Sequence, residues 1–358
     1  MQISRRLLLK AAFASFATAL PAASTAATSV SLASAARPRR PLVRAPRLRQ
    51  GDWIALVAPA GYVDDNHIER SVRNLESLGL RVKLARNLRA RRGNYAGTVK
   101  DRIEDLHHAF LDPEVKALWA ERGGSGAAGL LPHLDYRLIR AHPKIVIGYS
   151  DITALTLGLY RHAGLIGFHG VVSGSQFADY TVSHLRAVLM EGRHPHTIEL
   201  GTTHRKLAET DLEYQPRVLR GGVTEGRLVG GNLSVLSSLI GTPFAAPLAG
   251  HLLFLEEISE APYRIDRMLT QLERSQGYEA LAGVALGVFR RSVDAEARDP
   301  ASHTLTQVLE DRFAAFTKPA IYGLPFGHIA PQCVLPLGVR ARLDTEAQTL
   351  TLLESAVL

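Results

Sequence analysis

The sequence predicts an α/β protein: an N-terminal Rossmann/flavodoxin-like domain with a parallel sheet, then a smaller, mixed α/β C-terminal domain that is largely antiparallel. Three observations predict it. From residue 51 to about 190, short apolar runs alternate with amphipathic helical stretches, the pattern of parallel strands joined by helical crossovers. That periodicity loosens across 191–221 and gives way to shorter strand-like runs separated by turn residues. A chain of 358 residues is also long for one domain, so two are expected: 50–190 and 222–358, with 191–221 as a linker.

Each element has a local reason. "GDWIALVAPAG" (Gly51 to Gly61) is an apolar run closed by a Pro/Gly turn, as in a buried first strand. "DNHIERSVRNLESLGL" follows, with Ile68, Val72, Leu75 and Leu78 at helical spacing, then "RVKLAR" as a short strand. A second amphipathic helix, about 100–110, leads to "VKALWAERGGSG", a strand ending in a glycine loop. "KIVIGYSDITALTLGLYRHAG" repeats the grammar of strand, turn and helix. The loops at Gly123 to Gly126 and at Ser150 thus fall at the carboxyl ends of parallel strands, where such sheets bind ligands. Past residue 222, "VTEGRLVGG", "HLLFLEEI", "LAGVALGVFRR" and "PAIYGLPFG" read as strands and "YRIDRMLTQLERSQG" as a helix. A hairpin is expected across Asp344 to Gln348.

The net charge of +8 resides in the leader. Residues 1–50 hold nine basic residues and no acidic ones, which leaves 33 basic against 34 acidic for the rest. Nucleic-acid binding therefore loses its main support. Residues 1–35 read as a twin-arginine-type export signal: Arg5 and Arg6, a modestly apolar stretch, and small-x-small sites at Ala17-Thr18-Ala19 and Ala33-Ser34-Ala35. This predicts a periplasmic protein. The apolar stretch is short and alanine-rich and no cysteine lies near it, so no stable membrane anchor is expected. Residues 36–49, rich in Ala, Pro and Arg, read as a disordered spacer. The single cysteine, Cys333, lies in "APQCVLPLG", which reads as a buried strand.

Ser150 is the first candidate for chemistry. A strand, a turn with Gly148 two residues earlier, and a helix form the frame of a nucleophile elbow, although Ile152 stands where G-x-S-x-G has its second glycine. A serine at that place also serves as a helix cap, and the local sequence favours the cap. A nucleophile needs a base and an orienting carboxylate. Of the fourteen histidines, His328 in "GLPFGHIAP" sits rigidly between glycine and proline turns after an apolar strand. His194 and His196 have no ligand-type residue spaced to complete a site, so no metal is expected, and nothing calls for a cofactor. Glu256 ends a run of four apolar residues, which suits either a site carboxylate or a salt bridge to Arg264 or Arg267.

Six motifs in order carry a resemblance: "GDWIALVAPAG", "ERGGSGAAGLLPHLD", "GYSDITAL", "GGNLSVLSSLIGTP", "LFLEEISEAPYRIDRMLTQL" and "GLPFGHIAPQCVLPLG". From about residue 48 to the end the chain resembles the LD-carboxypeptidase family of serine peptidases, the muramoyltetrapeptide carboxypeptidases. The resemblance implies a triad of Ser150 as nucleophile, His328 as base and Glu256, rather than Glu257, as orienting carboxylate. It implies an oxyanion hole from the backbone N–H of Asp151 and Gly124. It also implies hydrolysis of the bond between a diamino acid's L-centre and a terminal D-alanine in murein tetrapeptides, and it suggests a homodimer. Arg122 is the candidate for the D-alanine carboxylate, and Asn232 is either a substrate contact or a cap. Ser125 and Ala60 stand where the family usually has tyrosine and serine, which leaves the exact substrate open. Two other readings are a microcin-immunity-type amidase, disfavoured by the export signal, and a non-catalytic periplasmic murein-peptide binding protein.

Overall fold

A computed structural model describes residues 41–292 and 302–358, and these fall in one compact unit. The export signal expected over 1–35 lies outside the described residues. The chain forms two sheets. The first holds β1 (Trp53–Val57), β2 (Arg81–Leu84), β3 (Val115–Ala120), β4 (Ile145–Gly148) and β5 (Phe168–His169), all parallel, in the order β2-β1-β3-β4-β5. This is the flavodoxin order, and its topological switch lies between β1 and β3. Continuous burial on both faces of β3 and β4 explains their near-unbroken apolar runs.

Helices α1 (Asp65–Ser77), α2 (Val99–Leu111), α3 (Tyr136–Ala141) and α4 (Ile152–Ala163) supply the crossovers. In α1, Ile68 and Leu75 face the core as their spacing predicts, and Asp64 caps the start by accepting from His67 N–H at 2.9 Å. Helix α4 is buried along nearly its whole length, because the second sheet covers the face that the first leaves open.

The second sheet is the larger, with eight strands in the order β6-β14-β13-β8-β9-β10-β11-β7. Its centre, β8 (Val223–Asn232), β9 (His251–Ile258), β10 (Gly283–Arg290) and β11 (Ala320–Tyr322), is parallel. Antiparallel pairing is confined to the flanks: β6 (His196–Ile198), β14 (Thr349–Leu352) and β13 (Arg340–Asp344) on one side, β7 (Arg217–Arg220) on the other. The expected mixed α/β character is present, with four of the seven strand pairings among the described residues antiparallel and the three parallel ones gathered at the centre. Strands buried on both faces carry no alternation from which to read direction. The hairpin across Asp344 to Gln348 is present as β13 and β14.

Two further stretches differ from expectation. Residues 191–221, expected as a linker, contribute β6 and β7, the two edges of the second sheet. Residues 41–49 of the expected spacer are packed, with Ala45 and Leu48 each 1% exposed and Val43 bridged to Leu165. Val43, Ala45 and Leu48 turn inward while Arg47 and Arg49 turn out, a pattern that averaging the composition hides. Finally, β12 (Leu335–Pro336) returns to pair with β5, and Asn232 N–H donates to Thr153 Oγ1 at 3.0 Å, so α4 is tied to the end of β8. One buried apolar cluster spans both sheets.

Candidate active site

Ser150 stands between β4 and α4 with φ of +62°, a left-handed conformation that costs a non-glycine residue about 1–2 kcal/mol. The strain comes from turning the chain off a buried strand directly into a buried helix. Its hydroxyl does not cap α4: the N-cap position is Asp151, and no side chain caps this helix. The capping alternative is thus answered. The Asp151 carboxylate instead accepts from Ala127 N–H at 2.8 Å, which ties the helix start to the glycine loop.

That loop lies directly against the serine. A side chain at Gly123 would sit 2.7 Å from Ser150 Cβ and 2.8 Å from its Oγ, so only glycine allows the approach. Gly123 C=O accepts from Gly61 N–H at 3.1 Å, across the switch between β1 and β3. The backbone N–H groups of Asp151 and Gly124 have no acceptor among the described residues. Asp151 follows the serine directly and Gly124 lines the same cleft, so two unspent donors are available to an oxyanion there.

Glu256, near the end of β9, is fully buried, and its Oε2 accepts from His328 Nδ1 at 2.7 Å. A carboxylate only accepts, so this contact assigns the imidazole proton to Nδ1 and leaves Nε2 as the basic nitrogen. Burial works to raise the Glu256 pKa, but the charge and hydrogen bond of His328 outweigh it and hold the carboxyl below its usual range. Arg264 pairs with Glu260 instead, at 3.6 Å. The histidine loop is laid onto the carboxylate by Gly327, whose φ of +116° and 3.0 Å clearance from Glu256 Cβ exclude a side chain.

Ser150, His328, Arg122, Gly123 and Gly124 line one cleft of about 280 Å³. Ser150 and His328 share it without a hydrogen bond between them; such bonds commonly tighten only on substrate binding. Arg122 is exposed at the rim, and its one hydrogen bond is a 3.4 Å contact to Tyr62 C=O. Asn232 is not brought to the cleft. It is 4% exposed, caps α7 (Leu233–Ser238) by accepting from Val235 N–H at 3.1 Å, and donates to Glu257 Oε1 at 3.1 Å. Glu257 also accepts from Ser234 N–H and Oγ, both at 2.7 Å, and from Ile258 N–H at 2.8 Å. Strand alternation has turned it away from His328, so it serves the fold.

Sequence reasoning missed three residues. Tyr149 packs edge-on against His328, ring centroids 4.8 Å apart. His169, on β5, is 1% exposed among Phe254, Phe326 and Tyr149, and burial depresses its pKa to about 4, so it is neutral. Glu121, between β3 and the glycine loop, is a fully buried carboxylate lining the cleft. Among the described residues no group of three His, Cys, Asp or Glu could hold a metal ion, and no helix is long and apolar enough to cross a membrane. Cys333 is buried, and burial pushes its thiol pKa up.

Residues 54–170 match the family model of the LD-carboxypeptidase N-terminal domain and 225–343 that of the C-terminal domain. The chain is 37% identical to a probable murein peptide carboxypeptidase of Bacillus subtilis, over 84% of this chain and 92% of that one. It is likewise 37% identical to a murein tetrapeptide carboxypeptidase of Pseudomonas aeruginosa, over 81% and 92%. Among solved structures, an MccF-like protein from Bacillus anthracis superposes with a TM-score of 0.74 at 27% identity, covering 87% of this chain and 99% of that one.

Proposed function

Because the chain belongs to the LD-carboxypeptidase family, a family of serine carboxypeptidases, we propose that it releases the terminal D-alanine of murein tetrapeptides by way of an acyl-enzyme. Ser150 Oγ attacks the carbonyl at the diamino acid's L-centre, and His328 Nε2 takes the hydroxyl proton. Glu256 keeps the imidazole in the tautomer that can accept it and balances the charge that forms. Asp151 and Gly124 N–H receive the oxyanion. The tetrahedral species collapses, the C–N bond breaks, and His328 returns the proton to the amine of the leaving D-alanine. Water, deprotonated by the same nitrogen, then releases the acid and restores Ser150. Arg122 meets the free carboxylate of D-alanine at the rim of the cleft.

The observation that carries this reading is the 2.7 Å contact between His328 Nδ1 and fully buried Glu256, opening onto the cleft that holds Ser150. The paired Arg5 and Arg6 of the leader support export by a twin-arginine-type signal, and with it an activity in the periplasm, where tetrapeptides from wall turnover are available. The test is D-alanine release from a disaccharide-tetrapeptide by the mature protein and by Ser150→Ala. Release by the first and none by the second is expected. Equal release by both, or none by either, would overturn the reading. A parallel assay on a peptidyl-nucleotide checks the amidase alternative, which predicts cleavage there instead.

A further inference from the structure

The peptide unit between Gly126 and Ala127 is held at both ends by buried charges that the mechanism above leaves unused. Its C=O accepts from Arg102 Nη1 at 3.1 Å, and its N–H donates to the Asp151 carboxylate at 2.8 Å. A peptide's oxygen is partially negative and its N–H partially positive, so cation and anion each meet the end that suits them. Arg102 and Asp151 are 4% and 8% exposed, and neither makes an ion pair among the described residues. Burial lowers the Arg102 pKa, opposed first by the charge of Asp151. Burial raises that of Asp151, opposed by the Ala127 hydrogen bond and the charge of Arg102. Each charge therefore finds its counter-charge across one peptide group, which offsets the cost of burying both.

Arg102 extends from α2 and reaches a second loop as well. The same nitrogen donates to Pro59 C=O at 3.0 Å, Nε donates to Thr98 C=O at 3.4 Å, and the guanidinium carbon lies 5.3 Å from the centre of the Tyr95 ring. Pro59 follows β1 and stands two residues before Gly61, whose N–H holds Gly123 C=O. Gly126 stands two residues after Gly124. With its φ of +98°, a side chain on Gly126 would lie 2.8 Å from the Tyr95 ring and 3.1 Å from Arg102 Nη1, so glycine is what admits the guanidinium. One side chain thus fixes the loop after β1, the glycine loop and, through the peptide, the start of α4. The two backbone donors offered to the oxyanion, Gly124 N–H and Asp151 N–H, lie on segments that meet at this clamp.

We infer that Arg102 is a positioning residue for the oxyanion hole: by clamping the Gly126–Ala127 peptide against Asp151, it sets the spacing of the two backbone donors. This rests on the Ser150 mechanism above and adds to it a residue that does not line the cleft. The oxyanion's charge develops only on the way to the tetrahedral species, so a loosened clamp lowers kcat and leaves KM nearly unchanged.

The experiment measures kcat and KM for D-alanine release, and the rate at which a fluorophosphonate labels Ser150, in the wild type, Arg102→Met, Arg102→Lys and Lys144→Met. The label needs the serine and the oxyanion hole but no murein peptide. Lys144 is the control for loss of a buried cation: it is 7% exposed and donates to the Ala109 and Asp112 carbonyls at the other end of α2, away from the cleft. In Arg102→Met, kcat and the labelling rate are expected to fall together by about ten- to a hundredfold, part of the roughly hundred- to thousandfold that a whole oxyanion donor carries. Arg102→Lys, whose ammonium stops short of the Nη1 position, loses about five- to tenfold. Lys144→Met melts at a lower temperature with both rates retained. Wild-type rates in Arg102→Met, or in Arg102→Lys where the first does not fold, overturn the inference, as does a Lys144→Met whose rates fall as far. Where the wild type releases D-alanine but resists the label, kcat alone decides in the same way. Labelling that depends on Arg102 without D-alanine release by the wild type sustains the inference and overturns the tetrapeptide reading instead. A wild type that neither takes the label nor releases D-alanine overturns both.

Discussion

Glu256 and Glu257 are adjacent, both buried, and assigned opposite duties, so exchanging each for glutamine separates chemistry from folding. In Glu256→Gln the new amide faces His328 Nδ1 where a carboxylate oxygen now lies at 2.7 Å. If the amide turns its NH2 toward Nδ1, the ring must carry its proton on Nε2 and cannot accept one from Ser150. If it turns its oxygen, the tautomer survives, but the imidazolium has no counter-charge and the NH2 is buried where Glu256 Oε1 has no partner. Either arrangement removes the base's support, and the comparable change in a serine triad costs about four decades in kcat. We expect three to four decades, about 4–5.5 kcal/mol of transition-state stabilisation, with KM little changed because Glu256 does not line the cleft. Glu257→Gln instead weakens up to four hydrogen bonds, three at the start of α7 and one at the end of β9, a loss of about 1–3 kcal/mol, with kcat retained. Steady-state D-alanine release and thermal melts of both variants provide the check. A Glu256→Gln enzyme within about tenfold of wild-type kcat, or one whose defect matches that of Glu257→Gln, would refute the assignment.

Two further perturbations follow from the packing. Gly123→Ala puts a methyl 2.7 Å from Ser150 Cβ, where overpacking costs about 1–3 kcal/mol and displaces the hydroxyl, so D-alanine release should fall more than tenfold; Gly129→Ala, with nothing within 4 Å, is the control, and equal activity of the two would contradict the close approach. His169 is held neutral by burial, its pKa depressed from 6.5 to about 4, so its contribution is fully present above pH 6.5 and is lost as the pH falls towards 4. Denaturant midpoints should fall between pH 7 and 4.5, and His169→Gln should remove about 2–3 kcal/mol of that fall, the remainder belonging to other buried histidines such as His184, whose pKa burial lowers to about 3; an equally steep decline in the variant would exclude His169 as a source.

The sequence makes some of these features visible and hides others for physical reasons. Ser150, Glu256 and His328 each sit where a buried run meets a turn, so a polar side chain there is held at a sheet end. Local pattern alone favours the cap for Ser150, and only the resemblance carried by the ordered motifs around Glu256 and His328 points to the nucleophile. Strands β6 and β7 left little trace because they are three and four residues long, with only alternate or partial burial to mark them. The parallel centre of the second sheet was illegible because β9 and β10 are buried on both faces, and an apolar run reports burial without direction. Glu121 is the most instructive miss. In "ALWAERGG" it reads as the first charged residue after a strand, destined for solvent like Arg122 beside it. Its burial is made by Ser71, fifty residues earlier, and by Gly174, more than fifty later, closing over it from separate elements. No periodicity encodes that enclosure. Enclosure of this kind, by side chains and backbone from separate elements, is decided by tertiary packing, where sequence pattern is least informative.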